Sequence, residues 1–301
     1  MNTIEDDIRS TPAILRRTSA RIAEHKSAFG ALFGGPVVLL GCGTSYCVGL
    51  AAAASYERKR HVPAQAIIAS DYVPRAGWMV VAISRTGQTT ELLRAMQAAQ
   101  AIGVPVFLLA GEDASPAAQY ADAVLPLEFA AEAGVVQTRF ITAATAALRA
   151  LMFDEGSGDT IGDLALEMEL SLAAFDPTPF LRFDHVVFLG RGPQYGLACA
   201  AALNLQETAL LVPEAHQTLD YRHGPIAAAD ANTLVWAFDA ASDTESAAVL
   251  DDVRNTGATV YAAAADPLIT LAQAQLVAFF RARTGNLDPT APRNLVRAII
   301  L

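Results

Sequence analysis

The chain has little of what several classes of protein require. It contains three cysteines, Cys42, Cys47 and Cys199. These are too few, and too apolar in their surroundings, for a disulfide framework or a zinc site, so we expect reduced, buried residues and no metal. Charged residues make up 17% of the chain and the net charge is −10. No stripe of lysine and arginine is present to neutralise a phosphate backbone, which excludes nucleic acid as a partner.

Long apolar runs are also absent. None approaches the roughly 20 residues that a membrane-spanning helix needs, so we expect no membrane contact and a cytoplasmic location. Apolar residues are nevertheless abundant and make up 53% of the 301 positions. That content is typical of a compact, well-buried fold, and the length allows two domains of about 150 residues each.

Short apolar runs alternate with alanine-rich, helix-favouring stretches along the whole chain. Strands are predicted at 37–40, 66–69, 79–83, 106–109, 124–127, 186–189, 234–238, 259–262 and 275–280. Helices are predicted at 10–23, 46–59, 90–102, 115–121, 138–153, 163–175, 195–209, 244–256 and 268–274. Because continuous apolar strands separated by helices indicate parallel sheets covered on both faces, the predicted fold is α/β, with two tandem doubly wound parallel sheets.

One glycine turn occurs twice, half a chain apart. Gly-Cys-Gly-Thr-Ser-Tyr (41–46) and Gly-Arg-Gly-Pro-Gln-Tyr (190–195) each follow a predicted strand and lead into a predicted helix. The pair indicates a duplicated strand-turn-helix unit. A Gly-Ser-Gly stretch at 156–158 marks the predicted linker, which divides the chain into a first domain over 1–155 and a second over 156–301.

Only the first copy of this unit is followed by a hydroxyl-rich loop. The strand at 79–83 runs into Ser-Arg-Thr-Gly-Gln-Thr-Thr (84–90), just before a helix. Ligands of open α/β sheets bind outside the carboxyl ends of the strands, where hydroxyls and helix-start amides can converge on a phosphate. The matching strand of the second half ends in Asp-Ala-Ala-Ser-Asp (239–243), which would repel an anion.

Ser84, Thr86 and Thr89 are the candidate phosphate ligands of this loop, and Ser45 in the first glycine turn completes the ring. Arg85 either adds positive charge to the site or faces water. The alternative is that all of these are ordinary turn and N-cap residues. The turn is neither a dinucleotide fingerprint nor a P-loop, since it lacks the third glycine of the former and the Lys-Ser/Thr of the latter.

Six motifs, in order, carry a family resemblance. They are Gly-Cys-Gly-Thr-Ser-Tyr (41–46), Ile-Ser-Arg-Thr-Gly-Gln-Thr (83–89), Gly-Arg-Gly-Pro-Gln-Tyr (190–195), Asn-Leu-Gln-Glu-Thr (204–208), Arg-His-Gly-Pro (222–225) and Pro-Arg-Asn-Leu (292–295). With them the chain resembles the sugar isomerase (SIS) family from its N-terminal helix to its last residues. Within that family it is similar to the isomerase half of glucosamine-6-phosphate synthase and to the stand-alone amino-sugar-phosphate deaminases and ketose/aldose isomerases.

The resemblance also sets expectations about further domains. The chain begins Met-Asn, without the N-terminal cysteine nucleophile of the synthase's glutaminase domain. We therefore expect no release of ammonia from glutamine. The short segment before the first predicted strand leaves no room for the helix-turn-helix domain of the family's DNA-binding regulators.

The resemblance implies roles for individual residues. Glu207 falls at the position of the general base that moves a proton between C1 and C2 through an enediol or enolamine. His223 falls at the position of a histidine that opens the sugar ring from the neighbouring subunit, which implies a homodimer with shared sites and no cofactor. Glu132 matches a segment beside the sugar. The residues at the substrate- and phosphate-binding positions are Gly43, Thr44, Ser45, Ser84, Arg85, Thr86 and Thr89.

Glu207 and His223 each have a plainer interpretation. On residues alone, Glu207 is a solvated glutamate on the helix at 195–209, and a histidine before Gly-Pro is a loop residue. For Glu207 to act as the base, burial near apolar groups such as Leu205 and Leu211 must raise its pKa toward neutrality.

Arg297, a further substrate-binding candidate, stands where the synthase and many deaminases place a lysine that forms a Schiff base with the open-chain ketose. A guanidinium stays protonated and cannot attack as an amine. Asn204 and Gln206 also replace lysines that are common near the base. The predicted function is a cofactor-free isomerase or deaminase of a hexose 6-phosphate or amino-hexose 6-phosphate. The alternative is a catalytically silent phosphosugar-binding regulator, and the identity of the sugar stays open.

Overall fold

Nine helices and nine strands occur in the residues that the computed structural model describes, which are 3–112, 114–132, 134–153, 158–239 and 243–301. The helices are α1 (Ile4–Arg9), α2 (Thr11–Phe29), α3 (Thr44–Arg60), α4 (Thr90–Ala101), α5 (Arg139–Phe153), α6 (Gly158–Ala174), α7 (Pro193–Ala209), α8 (Thr244–Asn255) and α9 (Pro267–Thr284). The strands are β1 (Val37–Gly41), β2 (Ala64–Ile68), β3 (Met79–Ser84), β4 (Val106–Ala110), β5 (Ala123–Pro126), β6 (His185–Gly190), β7 (Glu214–Gln217), β8 (Thr233–Ala237) and β9 (Thr259–Ala262).

The described strands pair in parallel and form two sheets. The order is β2-β1-β3-β4-β5 in the first sheet and β7-β6-β8-β9 in the second. In each sheet the chain adds one strand on one side of its first strand and the next on the other side. An open α/β sheet has its ligand crevice at this switch point, outside the carboxyl ends of the strands. The prediction of an α/β chain with two parallel sheets is confirmed.

Strand β1 shows why the strands are apolar throughout. Leu39 packs in the hydrophobic cluster on one face of the sheet, whereas Val38 and Leu40 pack in the cluster on the other face. All three are fully buried because helices cover both faces. The cluster that contains Leu39 also contains Trp236 of β8, so the two sheets share one core.

Helices α3 and α7, which follow the two glycine turns, pack against each other. A Cβ atom at Gly196 on α7 would lie 2.4 Å from the Ala51 amide nitrogen and 2.5 Å from the Cys47 carbonyl oxygen on α3. Glycine at this position therefore allows the two helix backbones to approach closely. The contact holds α7 against the half of the chain that carries the hydroxyl-rich loop.

The two glycine turns have the same backbone geometry. A Cβ atom at Gly41 would lie 2.6 Å from the carbonyl carbon of Ser45, and one at Gly190 would lie 2.4 Å from that of Gln194. The φ angles of Gly43 and Gly192 are +55° and +59°, a region in which only glycine is free of steric strain. These shared features support the predicted duplication.

Two sequence predictions in the second half differ from the structure. The strand predicted at 275–280 is wrong, because these residues belong to α9. Helix α9 is buried along most of its length, and a short apolar run does not distinguish a strand from a buried helix. Strand β7 is not predicted from the sequence, because its residues, Glu-Ala-His-Gln, are mostly polar and lie half-buried at the edge of the sheet.

Further sequence predictions concern a short helix, the linker, the cysteines and membrane-spanning helices. The helix predicted at 115–121 is a 3₁₀ turn over Pro116–Tyr120. Residues 156 and 157 of the predicted linker lie outside the described residues, and the division at 155/156 stays a prediction. Cys47 is buried, whereas Cys42 and Cys199 are half-buried, and all three are free thiols. None of the helices in the described ranges is long and apolar enough to cross a membrane.

Candidate functional site

A pocket opens at the carboxyl ends of β1 and β3, at the switch point of the first sheet. It contains about 300 Å³ of empty space, part of which is open to solvent. Its walls come from the turn after β1, the loop after β3, the segment before α5 and the C-terminal segment. It brings together six of the predicted site residues, which are Ser45, Ser84, Arg85, Thr86, Thr89 and Arg297.

The hydroxyl loop, which we define as residues 84–89, is held in shape by its own side chains. The Gly87 N–H donates to Ser84 Oγ at 2.8 Å, and the Gln88 N–H donates to Thr86 Oγ1 at 3.3 Å. Both hydroxyl oxygens act as acceptors within the loop, so the proton of each hydroxyl stays available for donation. The loop therefore presents hydrogen-bond donors to the pocket, as an anion requires.

Gly87 fixes the path of the hydroxyl loop. Its φ is +61°, and a Cβ atom at this position would lie 2.3 Å from Ser115 Oγ. Its carbonyl accepts from the Ala117 N–H at 3.0 Å. A side chain at this position would therefore push the loop away from the segment after β4, and only glycine allows the close approach.

The C-terminal segment closes one side of the pocket. Arg297 Nη1 donates to the Glu132 carbonyl at 3.3 Å, and Arg297 Nη2 lies 3.7 Å from the Glu112 carboxylate. Next to it, the Thr90 N–H at the start of α4 donates to the Ile299 carbonyl at 3.1 Å. Arg297 thus carries a permanent positive charge to the rim of the pocket, with 44% of its side chain exposed.

In the second half, a carboxylate occupies the equivalent turn. Asp239 accepts from the Arg191 N–H at 2.7 Å and from the Thr218 hydroxyl. The Gly192 N–H donates to the Gln217 side-chain oxygen at 3.3 Å. The polar groups that could hold an anion are thus satisfied inside the protein, and Asp239 is buried. The carboxylate of Asp239 would therefore repel an external anion.

Arg85 lines the pocket and is buried, which excludes the interpretation that it faces water. Its Nη1 donates to Glu132 Oε2 at 3.0 Å and to the Gly134 carbonyl at 3.2 Å, while its Nη2 donates to the Val135 carbonyl at 2.7 Å. The side chain is 3% exposed and that of Glu132 is 0% exposed. The two form a desolvated ion pair beside the hydroxyl loop.

Glu132 holds the segment before α5 and does not itself line the pocket. Its Oε1 accepts from the N–H and the hydroxyl of Thr138 and, at 3.2 Å, from the Phe140 N–H. These donors lie at the start of α5, where a carboxylate satisfies unpaired N–H groups and is favoured by the helix dipole. Both of its oxygens are thus engaged by protein groups.

Gln137 is a polar lining residue that no sequence pattern singles out. Ser45 Oγ donates to Gln137 Oε1 at 3.4 Å, and Asn204 Nδ2 donates to the Gln137 carbonyl at 3.1 Å. Gln137 therefore joins the first glycine turn to α7. Its one signal in the sequence is its place in the segment that begins at Glu132.

Glu207 lies three residues beyond Asn204 on α7, so the two side chains share a helix face. Burial raises the pKa of Glu207 to about 7, while the Arg85 charge lowers that pKa and the Glu132 charge raises it. Glu207 is therefore influenced by the charges of Arg85 and Glu132, and it is half-buried and not fully solvated. A carboxyl group with this pKa populates both protonation states near neutral pH, as a proton-transfer base must.

The remaining predicted site residues lie outside the pocket of a single chain. His223 is exposed, at the end of a 3₁₀ turn over Asp220–His223. Gly43 and Thr44 form the turn and the first residue of α3, and they position Ser45 without lining the pocket. Glu207 does not line the pocket either, and His223 is exposed in the single chain.

Comparison with known proteins finds a family match for part of the chain. Residues 35–153 match the SIS domain family. The glutamine–fructose-6-phosphate aminotransferase (isomerizing) of Caulobacter vibrioides is 25% identical over 98% of this chain and 58% of its own length. The enzyme of the same name from Zymomonas mobilis is 31% identical over 64% of this chain and 36% of its own length. The chain spans about half the length of the curated relatives it matches.

Solved structures with the same fold include a glucosamine-6-phosphate deaminase from Thermotoga maritima, with a TM-score of 0.83 and 22% identity over 100% of both chains. A tagatose-6-phosphate ketose/aldose isomerase from Escherichia coli has a TM-score of 0.83 and 18% identity, over 100% of this chain and 98% of its own. The fold and the pocket together define a two-sheet α/β protein with a hydroxyl-lined pocket at a switch point. The family match is to the SIS domain and covers residues 35–153, which include the first sheet and the hydroxyl loop.

Proposed function

We propose that the protein is an isomerase or deaminase that acts on a hexose 6-phosphate or an amino-hexose 6-phosphate without a cofactor. The observation that carries this proposal is the pocket lined with hydroxyl donors, whose lining residue Gln137 is bonded to α7 through Asn204. Helix α7 carries Glu207, and burial raises the pKa of Glu207 to about 7. The hydroxyl loop supports phosphate binding and Glu207 supports proton transfer. The names of the relatives, which include a deaminase and an isomerase of sugar 6-phosphates, agree with this class.

In the proposed reaction, the hydroxyls of Ser84 and Thr86 donate to the phosphate oxygens and anchor the sugar. The Glu207 carboxylate removes the proton from C2 of the open-chain aldose, and the electron pair forms the C1–C2 double bond of an enediol as O1 gains a proton. Protonation of C1 by Glu207, with loss of the proton from the hydroxyl on C2, gives the ketose. Glu207 ends as it began, so the cycle consumes no cofactor.

Deamination follows from the same proton transfer. Moving the proton from C2 to C1 of a 2-amino aldose, with one proton lost from the amine and one gained by O1, gives the imine of the ketose, and water hydrolyses that imine to the ketose and ammonia. An imine to the enzyme is not needed. The lysines of the chain, Lys26 and Lys59, lie in the last turns of α2 and α3 and do not line the pocket. Arg297 cannot act as an amine nucleophile.

The proposed working unit is a homodimer in which His223 of one chain completes the pocket of the other. The exposure of His223 in the single chain supports this arrangement. In the complete site, an imidazole near the ring oxygen would open the sugar ring before Glu207 acts. The partner of the protein is then a second copy of itself, and its ligand is a sugar phosphate.

The hydroxyl loop can be tested by binding. Thr86→Val and Ser84→Ala are each expected to weaken binding of a hexose 6-phosphate roughly 10- to 100-fold, because each removes one charge-assisted hydrogen bond. Calorimetric titration measures the affinity. Thr284→Val, at the exposed end of α9, is the matched control and should bind as wild type. Wild-type affinity in both loop variants would exclude the hydroxyl loop as the phosphate site.

The reaction itself can be tested in deuterated water. Wild-type protein incubated with a panel of hexose 6-phosphates and amino-hexose 6-phosphates is expected to place deuterium at C1 or C2 of its substrate. Mass spectrometry and NMR detect the label even without net turnover, and the panel identifies the sugar. Tight binding of a phosphosugar without exchange in any sugar would favour the alternative, a silent phosphosugar-binding regulator.

A further inference from the structure

Another cavity lies beside helix α4 and shares no lining residue with the pocket at β1 and β3. It contains about 470 Å³ of empty space, part of which is open to solvent. Tyr72, in the segment after β2, belongs to one wall, and α4 forms the other wall with Glu91, Arg94, Ala95 and Ala98. This space, which we call the α4 cavity, has the size that a small ligand needs.

The wall from α4 is one stripe of the helix. Residues 91, 95 and 98 are separated by four and three positions, so their side chains lie on one face, and Arg94 lies beside them. Ala95 and Ala98 occupy little space because the side chain of each is a single methyl group. The two alanines thus leave the α4 cavity open, and the charged side chains of Glu91 and Arg94 stand at its end nearer the start of the helix.

Glu91 lines the α4 cavity and has a carboxylate oxygen without a partner. Its Oε2 is buried and forms no hydrogen bond within the described residues, and the same is true of Tyr72 Oη on the other wall. Burial raises the pKa of the Tyr72 hydroxyl, against a smaller lowering by the nearby Arg75 N–H, so the hydroxyl keeps its proton. Buried polar atoms without partners cost free energy, and a ligand with hydrogen-bond donors would remove that cost.

Arg94 supplies the opposite charge at the same cavity. Its side chain is exposed and forms no ion pair or hydrogen bond in the part of the chain that the structure describes. Glu91 and Arg94 are three residues apart, a spacing at which opposite charges on a helix can pair, yet these two do not pair within the described residues. Each charge is therefore available to a ligand.

We propose that the α4 cavity is a second binding site, for a small zwitterion whose ammonium group bonds to Glu91 and Tyr72 and whose anionic group bonds to Arg94. An ammonium group suits Glu91 because a cation both donates to the buried oxygen and compensates its charge. A carboxylate or a phosphate suits Arg94, since a guanidinium presents paired N–H donors. Two kinds of molecule share this chemistry, the α-amino acids and the amino-hexose phosphates.

Calorimetric titration of the whole chain tests the inference and separates the two kinds of ligand. The probes are L-alanine, L-glutamine and glucosamine 6-phosphate, each paired with its N-acetyl derivative, which keeps the anionic group and lacks the ammonium charge. At least one probe is expected to bind with a Kd of about 1 mM or below, and its N-acetyl derivative should bind about tenfold more weakly or worse. If no probe binds, or the N-acetyl derivative binds as tightly, the inference is overturned.

Variants assign the binding to the α4 cavity. Glu91→Gln and Arg94→Gln should each weaken binding of the probe about tenfold or more, because each removes one charge-assisted interaction. Arg283→Gln, at an exposed position in the last turn of α9, is the matched control and should bind as wild type does. Wild-type affinity in both α4 variants would place the probe elsewhere and refute the proposal.

Glucosamine 6-phosphate needs a further control because it is also a candidate ligand of the hydroxyl loop. Ala98→Leu fills the α4 cavity from a half-buried position, and Ala101→Leu, at the exposed end of α4, is its control. A probe in the α4 cavity is lost in Ala98→Leu and kept in Ser84→Ala. The reverse pattern assigns this probe to the hydroxyl loop and, if neither amino acid binds, overturns the inference. Arg94→Gln alters only an exposed side chain, so it still decides the question if Ala98→Leu does not fold.

Discussion

Glu207→Gln is expected to slow deuterium exchange by roughly 10²–10⁴ while the affinity for the phosphosugar stays near that of wild type. Glutamine keeps the shape and the burial of the side chain but cannot accept a proton. The hydroxyl loop, which we propose as the phosphate site, connects β3 to α4 and is not part of α7, so its contacts are unaffected. Exchange rates by mass spectrometry and affinities by calorimetry, measured on the same preparation, separate the two effects.

The matched control for Glu207→Gln is Glu24→Gln. Glu24 lies on α2 with 67% of its side chain exposed, and its nearest cation, Arg21, is 3.7 Å away. Exposed pairs of this kind contribute little, so the variant should exchange as wild type does. If Glu207→Gln also exchanged at the wild-type rate, another residue would be the base.

Mixed dimers are expected to recover activity that neither parent has. Glu207→Gln and His223→Ala should each be inactive as homodimers, because every pocket lacks one of the two groups. Random mixing makes about half of the dimers mixed, and each of these has one pocket built entirely from wild-type residues. Activity should therefore approach roughly a quarter of wild type under two-fold symmetry.

The mixing experiment needs a denature–refold step to exchange subunits, with native mass spectrometry to confirm mixed dimers. A mixture of two preparations of Glu207→Gln, refolded in the same way, is the control and should stay inactive. If mixed dimers form and their activity stays at the level of the single variants, His223 does not act across the interface. A chain that stays monomeric in native mass spectrometry would contradict the proposed homodimer.

Most of the strands were predictable because nearly all of their residues are apolar. Leu39 and Val38 lie on opposite faces of β1 and both are buried, so no polar residue interrupts the run. The same reasoning fails at 275–280, since α9 is buried on nearly all sides and also lacks a polar face. It fails at β7 for the opposite reason, because an edge strand with polar residues has no apolar run.

The lining of the site was predictable where residues follow one another in the chain. Ser84, Thr86 and Thr89 form a local pattern, and the structure places all three at one pocket. The surroundings of Arg85 were not predictable, because its partner Glu132 is 47 residues away and reaches it only through the packing of α5. The raised pKa of Glu207 depends in the same way on how α7 packs against the first half.

Asp239 makes the two copies of the strand-turn-helix unit different. Two equal copies would offer two equal places for an anion. In the second copy, the carboxylate of Asp239 accepts hydrogen bonds from the Arg191 N–H and the Thr218 hydroxyl, so a side chain of the protein itself occupies that turn. Since that turn does not line the pocket at β1 and β3, substitutions in it should leave binding at the pocket intact. Two turns of one backbone shape thus differ in access, because one opens onto a pocket and the other is closed by a carboxylate of the protein itself.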